Sequence, residues 1–588
     1  MADTNGDIAR ELGSEGLVGR LRSMFETYSD TRKFVFLQES GRALVEDATT
    51  LRDLDRRARE IAVWLAAQGA TRPVLLLYEP GLEFWRTFLG CLYAGVIAVP
   101  TPLPVDERSM QRVARILHNA GAALALTSAS LRDLLAGGIG ALDLDQPITC
   151  VATDEAALAD ADEWSMPALT ADTVAFLQYT SGSTGDPKGV AVTHGNLVSN
   201  LTAISEALGL DEGMTLVGWI PHFHDMGLIS VLTAFLVGGN VTGMSPLAFL
   251  KRPIRLLKAI SDYRGTICAA PNFTYDLIAR RITSEQLAGV DLSTWQIALN
   301  GAEPVRRRTM ERVIQTLRPA GFAPTAMRPT YGMAEVTLMA TVSGDTQHYL
   351  DADADSLEQN RYAPANGRAV SLVSSGAPAP GIEVRIVDRE SCDPLPQDCV
   401  GEIWLRGPSV ASGYYNRPDE TVDRFQAHTA DGEGPYLRTG DLGLLHEGEL
   451  YVTGRCKDLL IVNGRNLYPQ DIEEFVQEVH PAVAGSRGVA VAVDVDDTER
   501  LVLVQAVKPE LLGDTSYEEL ASALKSAVAR AFEMPAPIVV FVTRPGVHLT
   551  TSGKVQRASM RAAFMAGQLT DVVHESPDAA LRPKEPTA

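Results

Sequence analysis

Apolar and polar positions repeat along the first third of this chain in a texture that predicts its architecture. Residues 50–70 (TLRDLDRRAREIAVWLAAQG) place apolar side chains at helical spacing and stop at Gly69, where a glycine ends a helix at little steric cost. VLLLYEP (74–80) is an apolar run of strand length, followed by the helical stretch GLEFWRTFLGCLYAG. IAVPTPLP returns as a strand leading into a proline-rich loop, and RVARILHNAG then AALALTSA repeat helix and strand. Uninterrupted apolar strands alternating with helices require a parallel sheet covered on both faces, because each crossover lays its helix on the sheet. The predicted fold class is α/β.

Past about residue 375 the pattern shifts to short strands (IEVRIVD, GEIWLRG, ELYVTGR) between turns rich in Gly, Asp and Pro, which predicts a β-rich subdomain. Beyond Lys457, DIEEFVQEV reads as a helix, GVAVAVDV and RLVLVQAV as paired strands, and SYEELASALKSAVARAF as a further helix. That set makes a compact α+β unit of about 110 residues, large enough to hold its own core. The expected division is a large domain over 1–456, a small domain over 457–570, and a polar, Pro-containing tail over 571–588 without structure.

No residue between Asp225 and Lys251 is charged, an interval long enough to cross a bilayer. Gly238, Gly239, Asn240 and Pro246 interrupt it, so it reads as an apolar helix followed by a buried strand, with no membrane span. A net charge of -22 and a pI near 4.9 leave nothing to neutralise a phosphate backbone, which excludes nucleic acid as a general partner. The six cysteines, at 91, 150, 268, 392, 399 and 456, form no CxxC pair and are expected to be reduced thiols of a cytoplasmic protein. The opening MADTNGDIARELGSEG lacks the apolar stretch of a signal peptide.

The chemistry concentrates in TVAFLQYTSGSTGDPKGVAVTHGNL. A strand ends at Tyr179, and Thr180, Ser181, Gly182, Ser183, Thr184 and Gly185 make a loop of hydroxyls and glycines closed by Pro187, Lys188 and Gly189. Glycines let backbone N–H groups turn toward a ligand, hydroxyls add donors and Lys188 adds positive charge. That is equipment for holding a polyphosphate. It is not a Walker A loop, whose second glycine directly precedes lysine, because Asp186 and Pro187 intervene. In WIPHFHDMGLIS (219–230), His222, His224 and Asp225 imitate a metal cluster, but further ligands are missing nearby. No GxSxG occurs, so a hydrolase elbow is not supported.

The motifs ALNGAEPV (298–305), PTYGMAEVT (329–337), YLRTGDLG (436–443), GRCKD (454–458) and TSGKVQR (551–557) follow in order. With them the chain resembles the adenylate-forming superfamily of acyl-CoA synthetases, nonribosomal peptide adenylation domains and luciferases. The resemblance implies parallel α/β sheets in a large ATP- and acyl-binding domain, and a small mobile α+β domain that swings between two poses about Lys457. It implies that ATP lies along Thr180–Gly185 and Lys188, with Tyr331 stacking on adenine and Gly301, Ala302 and Gly332 leaving room for the purine. Glu303, Thr330 and Met333 complete that site. Glu335 and Thr180 are the expected Mg²⁺ ligands, oxygen donors to an ion bridging the phosphates. Asp441 is expected to accept both ribose hydroxyls, with Arg455 reinforcing it. Lys554 is expected to reach the substrate carboxylate and offset charge developing against the α-phosphate, and His224 to lie beside that carboxylate. Trp219, Met226, Gly227, Asn272 and Phe273 form the expected acyl pocket.

Three features resemble the fatty acyl-AMP ligases within that superfamily. FLGCLYAGVIAVP (88–100), HDMGLI, APNFTYDLI and ALNGAEPVR match the branch closely, although IAVPTPLP departs from its usual aromatic-and-proline pattern. The uncharged helix after HDMG suits an apolar tunnel. Glu335 and Gly376 stand 41 positions apart, farther than in acyl-CoA synthetases, and the extra residues (about 343–372) fall where the branch carries an insertion against the small domain. Tyr349, Leu350, Leu357 and Tyr362 give that stretch apolar anchors. The implied function is ATP-dependent activation of a fatty acid to acyl-adenylate and pyrophosphate, with the acyl group passed to the phosphopantetheine thiol of an acyl carrier protein. The alternatives are a fatty acyl-CoA synthetase and a non-catalytic acyl-adenylate-binding module; Lys188, Glu335 and Lys554 together argue against the second.

Overall fold

The continuous apolar runs become strands of two large sheets in a computed structural model that describes residues 4–581 apart from 42, 145, 157, 181–186, 463–464, 496–497, 533 and 550–554. The nine-stranded sheet centres on the parallel run Met327–Gly332, Ile297–Gly301, Ile267–Pro271, Thr215–Gly218, Asn240–Met244 and Lys33–Ser40, with antiparallel strands at both edges. The six-stranded sheet orders Thr149–Ala152, Leu124–Thr127, Val74–Leu76, Ala98–Pro100, Val174–Thr180 and Lys188–Thr193, parallel except for the closing hairpin. Helices Leu51–Ala67, Leu82–Ala94, His194–Leu208 and Asp225–Leu236 join residues of both sheets in one core. Leu82–Ala94 is buried almost all round, as a helix between sheets must be, whereas Leu51–Ala67 buries the stripe Leu51, Leu54, Ala58, Ile61 and Leu65.

The uncharged stretch resolves in the same core. Every residue of Asp225–Leu236 except Asp225 and Ser230 is buried, and Asn240–Met244 follows as a strand. No described helix is long and apolar enough to cross a membrane. The six cysteines are free thiols.

After Gly376 the expected β-rich part is an antiparallel sheet of Glu383–Val387, Gly401–Arg406, Leu437–His446 and Glu449–Arg455. Beyond Lys457, helices Pro469–Val479 and Tyr517–Ala531 share a core with the sheet Gly488–Val495, Thr498–Ala506, Ile538–Val542 and Val572–Glu575. The last strand corrects an expectation. Val572–Glu575 lies in the tail expected to lack structure, yet pairs antiparallel with Ile538–Val542. A four-residue run is too short to show alternation, and its pairing partner supplies what local propensity did not.

The stretch after Glu335 folds as a hairpin of Tyr349–Asp353 and Ala369–Val373 that includes the short helix Ala354–Glu358. Leu350, Ala352, Leu357 and Leu372 bury against Val400, Leu442, Leu444, Tyr451 and Tyr468. Tyr349 lies under the Arg307 guanidinium at 4.7 Å, and Tyr362 meets His446 edge-on at 5.1 Å. All four apolar anchors read from the sequence are engaged.

Candidate active site

Three strands converge on one carboxylate. Met327–Gly332 delivers Tyr331, Leu437–His446 delivers Asp441, and Glu449–Arg455 delivers Arg455 as the cross-strand partner of Asp441. Arg455 Nε lies 3.0 Å from Asp441 Oδ1, and Tyr331 Oη donates to Asp441 Oδ2 at 2.9 Å. Asp441 is 7% exposed and Tyr331 9%. Burial, then the Asp441 charge, pushes the Tyr331 hydroxyl well above its usual range, and the same charge raises Arg455. The trio is therefore a neutral phenol, a carboxylate and a guanidinium.

The neighbouring turns are closely packed. A Cβ on Gly301 would stand 2.7 Å from the Thr330 carbonyl oxygen, and one on Gly332 1.7 Å from that of Leu338. Backbone therefore packs against both glycines on the side where a Cβ would stand. Ala302 sits in the left-handed region at φ 62°, which costs an L-residue about 1–2 kcal/mol. The Thr330 hydroxyl donates to Thr341 O at 2.7 Å. Glu303 Oε1 accepts the Phe273 amide at 2.5 Å, at the first turn of helix Asn272–Arg281, where a carboxylate also complements the helix dipole. Met333 packs partly buried on the main core.

Thr180 and Lys188 face each other across the hairpin of Val174–Thr180 and Lys188–Thr193. Residues 181–186, with Ser181, Gly182, Ser183, Thr184 and Gly185, lie outside the described residues, as does Lys554. Lys188 Nζ pairs with Glu420 and lies over the Tyr414 ring at 5.1 Å. Tyr414 Oη in turn donates to Glu335 Oε1 at 2.8 Å. Glu335 is 8% exposed, and burial pushes its carboxyl above the usual range. A buried carboxylate opposed by desolvation suits a hard cation. Among the described residues no three His, Cys, Asp or Glu side chains gather as a metal cage.

Tyr414 and Glu420 were not singled out in the sequence, where GYYNRPDE looks like a turn. Tyr414→Phe removes a side-chain donor to Glu335 and keeps the ring under Lys188. The expected result is a rise of about 10–100-fold in the Mg²⁺ concentration for half-maximal pyrophosphate release. An unchanged Mg²⁺ requirement would detach Tyr414 from this site.

At the expected acyl site, His224 caps helix Asp225–Leu236. Its Nδ1 lies 2.6 Å from Asp225 Oδ1, which also accepts the Met226 amide at 2.7 Å. Asp225 thereby orients the ring and leaves Nε2 for a ligand. Gln178 Nε2 donates to Phe223 O at 2.8 Å, tying this segment to the strand that enters the phosphate loop. Met226 and Gly227 line an apolar cavity with Phe34, Trp85, Val231 and Met244. Gly227 permits a close approach there, since a Cβ would stand 2.3 Å from Pro221 O.

Trp219, Asn272 and Phe273 are not part of that lining, contrary to expectation. Side chains alternate along a strand: Leu216, Gly218 and Ile220 line the cavity, while Val217 and Trp219 enter a second core on the opposite face. There Trp219 stacks on Phe249 at 4.5 Å, with Phe273 edge-on at 5.7 Å. Asn272 accepts from Asn300 and the Arg306 amide and donates to Thr309.

Lys457 directly follows this site, and burial with the Arg455 charge holds its ammonium below the usual range. Asp458 beside it lies 3.6 Å from Arg557, which also pairs with Glu473 at 2.6 Å. Across the junction Arg306 meets Glu474 at 3.0 Å, and Arg308 pairs with Glu478.

Comparison with known proteins follows the same outline. Residues 26–415 match the family model described as AMP-binding enzyme, and residues 457–573 that of the Disco-interacting protein 2-like AMP domain. A medium-chain-fatty-acid–[acyl-carrier-protein] ligase of Moorena producens is 41% identical over 92% of this chain and 94% of its own. A 4-hydroxyphenylalkanoate adenylyltransferase of Mycobacterium tuberculosis is 34% identical over 94% of this chain and 93% of its own. A solved fatty acyl-adenylate ligase from L. pneumophila, in complex with acyl adenylate and pyrophosphate, superposes with a TM-score of 0.73. It is 35% identical and covers 97% of this chain and 99% of its own.

Proposed function

This chain belongs to the AMP-binding enzyme family, on its fatty acyl-AMP ligase branch, and we propose that it activates a fatty acid with ATP and delivers the acyl group to an acyl carrier protein. The observation that carries this reading is the presence of two unlike sites in one chain. A buried carboxylate, phenol and guanidinium suit a nucleoside, and an apolar cavity opens beside the His224 cap. In the first step a carboxylate oxygen of the fatty acid attacks the α-phosphorus of ATP, the bond to the bridging oxygen breaks, and pyrophosphate leaves with its electron pair. Asp441 takes the ribose hydroxyls, Lys188 exchanges Glu420 for phosphate oxygens, and His224 orients the carboxylate. Mg²⁺, held by Glu335 and Thr180 with phosphate oxygens, would neutralise charge on the leaving group. In the second step the phosphopantetheine thiol attacks the acyl carbon and releases AMP.

The choice of acceptor rests on the hairpin after Glu335. Its apolar side is buried on the β-rich part and on Tyr468, while Arg368 lies over the Phe532 ring at 5.7 Å. A segment in contact with residues on both sides of Lys457 opposes rotation about it, and free coenzyme A brings little docking energy to favour the second pose. Deleting about residues 345–368 is expected to preserve adenylation and raise acyl-CoA formation about tenfold, the effect of about 1.4 kcal/mol on the pose equilibrium. Acyl-AMP and acyl-CoA are quantified together by mass spectrometry. Efficient acyl-CoA synthesis by the intact enzyme would replace the ligase reading with the synthetase one.

A further inference from the structure

The cavity lined by Met226 and Gly227 is mostly apolar, through residues such as Phe36, Trp85 and Leu216, yet His222 also lines it. His222 is 5% exposed, and its Nε2 is buried with no hydrogen-bond partner among the described residues. The ring stacks on Phe84 at 3.9 Å, which fixes its plane without satisfying that nitrogen. A buried polar atom left unpaired is costly and marks a place where a partner arrives. Burial holds the imidazole down at about 3, so the ring is neutral at pH 7. A neutral imidazole offers one donor and one acceptor and no charge to balance a second carboxylate. A hydroxyl both donates and accepts, and so satisfies Nε2 in either tautomer.

Two further hydroxyl-bearing residues, Ser230 and Thr242, line the same cavity. Ser230 is also the one position within Met226–Leu236 that is not buried. His222 and Met226, which flank His224 in sequence, both line this cavity, so the segment that carries the group proposed to orient the carboxylate also forms part of the cavity wall.

We propose that the acyl cavity selects a fatty acid carrying a hydroxyl in the half of its chain nearest the carboxylate, with His222 as that hydroxyl's hydrogen-bond partner. This rests on the ligase reading and specifies its substrate class.

The test is a panel of acids of one chain length: the saturated parent, isomers with the hydroxyl moved along the chain, and the matching dicarboxylic acid. Pyrophosphate release gives kcat/KM for each. A near-half hydroxy isomer is expected to exceed the parent about tenfold, the scale of one neutral hydrogen bond, with the dicarboxylic acid poorest. His222→Phe keeps a ring against Phe84 and removes both nitrogens, so the ratio of hydroxy acid to parent should fall to about one, with calorimetric AMP affinity reporting an intact nucleotide site. A parent acid that equals or exceeds every hydroxy isomer overturns the proposal, as does a preference retained in His222→Phe. The unaltered enzyme decides the matter even where the variant fails to fold. Pyrophosphate release with none of the acids, AMP binding being intact, would overturn the ligase reading itself.

Discussion

Changing Lys554 to alanine is expected to lower acyl-adenylate formation by about 10²–10³ while AMP affinity and thermal stability stay near those of the parent enzyme. The reaction brings a carboxylate against a triphosphate, two anions whose approach is opposed until a cation stands between them. Lys554, in TSGKVQR, is proposed to be that cation, with Lys188 proposed to go to the phosphate oxygens and Arg455 engaged by Asp441. The residues flanking 550–554 are independently anchored. Leu549 bridges Val555, Gln556 donates its amide to His548 O at 3.0 Å, and Arg557 pairs with Glu473 and Asp458. Loss of one side chain between those anchors should leave the fold intact. Adenylation is read as pyrophosphate release and as trapped acyl-AMP. A rate within a fewfold of the parent would remove Lys554 from the chemistry.

The proposed role of Lys554 requires that the C-terminal part be able to shift against the rest, and the junction bears on this. Arg306 and Glu474 are 28% and 42% exposed, and Arg308 and Glu478 are 52% and 56% exposed. Such solvated pairs contribute about 0–1 kcal/mol each, enough to bias a pose and too little to lock it. The hairpin after Glu335 differs, because Leu357 and Leu372 are buried and each apolar side chain so placed is worth about 1.5–3 kcal/mol. The hairpin is therefore the firmer contact, and through Tyr468 and Phe532 it opposes the turning proposed for the unit beyond Lys457.

Much of this arrangement was visible in local sequence. The strand, glycine-rich loop and strand around Lys188 needed only turn chemistry and apolar runs, and they appear as Val174–Thr180 and Lys188–Thr193. The interruption at Gly238 and Gly239 was enough to read Asp225–Leu236 as a core helix. What escaped depends on residues far apart in the chain. Tyr414 reaches Glu335 across 79 positions, and a tyrosine between a glycine and another tyrosine carries no local mark of that contact. Trp219 was assigned to the acyl pocket by its neighbours in sequence, yet strand alternation turns it to the other face. Gly301 and Gly332 were read as space for a ligand; backbone also packs closely against each of them, which only the paired strands reveal.

Asp441→Ala is expected to weaken AMP binding about 10–150-fold, corresponding to about 1.5–3 kcal/mol for hydrogen bonds to a charged acceptor. Two causes compete, and they can be separated. If Asp441 receives the ribose hydroxyls, the loss falls on the nucleotide directly. If its role is to hold Tyr331, which donates to Oδ2 at 2.9 Å, the loss is indirect. Tyr331→Phe removes that hydrogen bond and keeps both the aromatic face and the Asp441 carboxylate. Arg455 is half-exposed and can turn to water when Asp441 is gone, whereas the buried Tyr331 hydroxyl cannot. Part of the Asp441→Ala effect should therefore appear as lowered thermal stability without nucleotide. Calorimetry of AMP binding on both variants decides between the causes. A loss at Asp441→Ala at least tenfold greater than at Tyr331→Phe, about 1.4 kcal/mol, assigns the carboxylate to the ribose. Equal losses would leave Asp441 as a support for Tyr331, and an unchanged affinity in Asp441→Ala would remove it from the nucleotide site altogether.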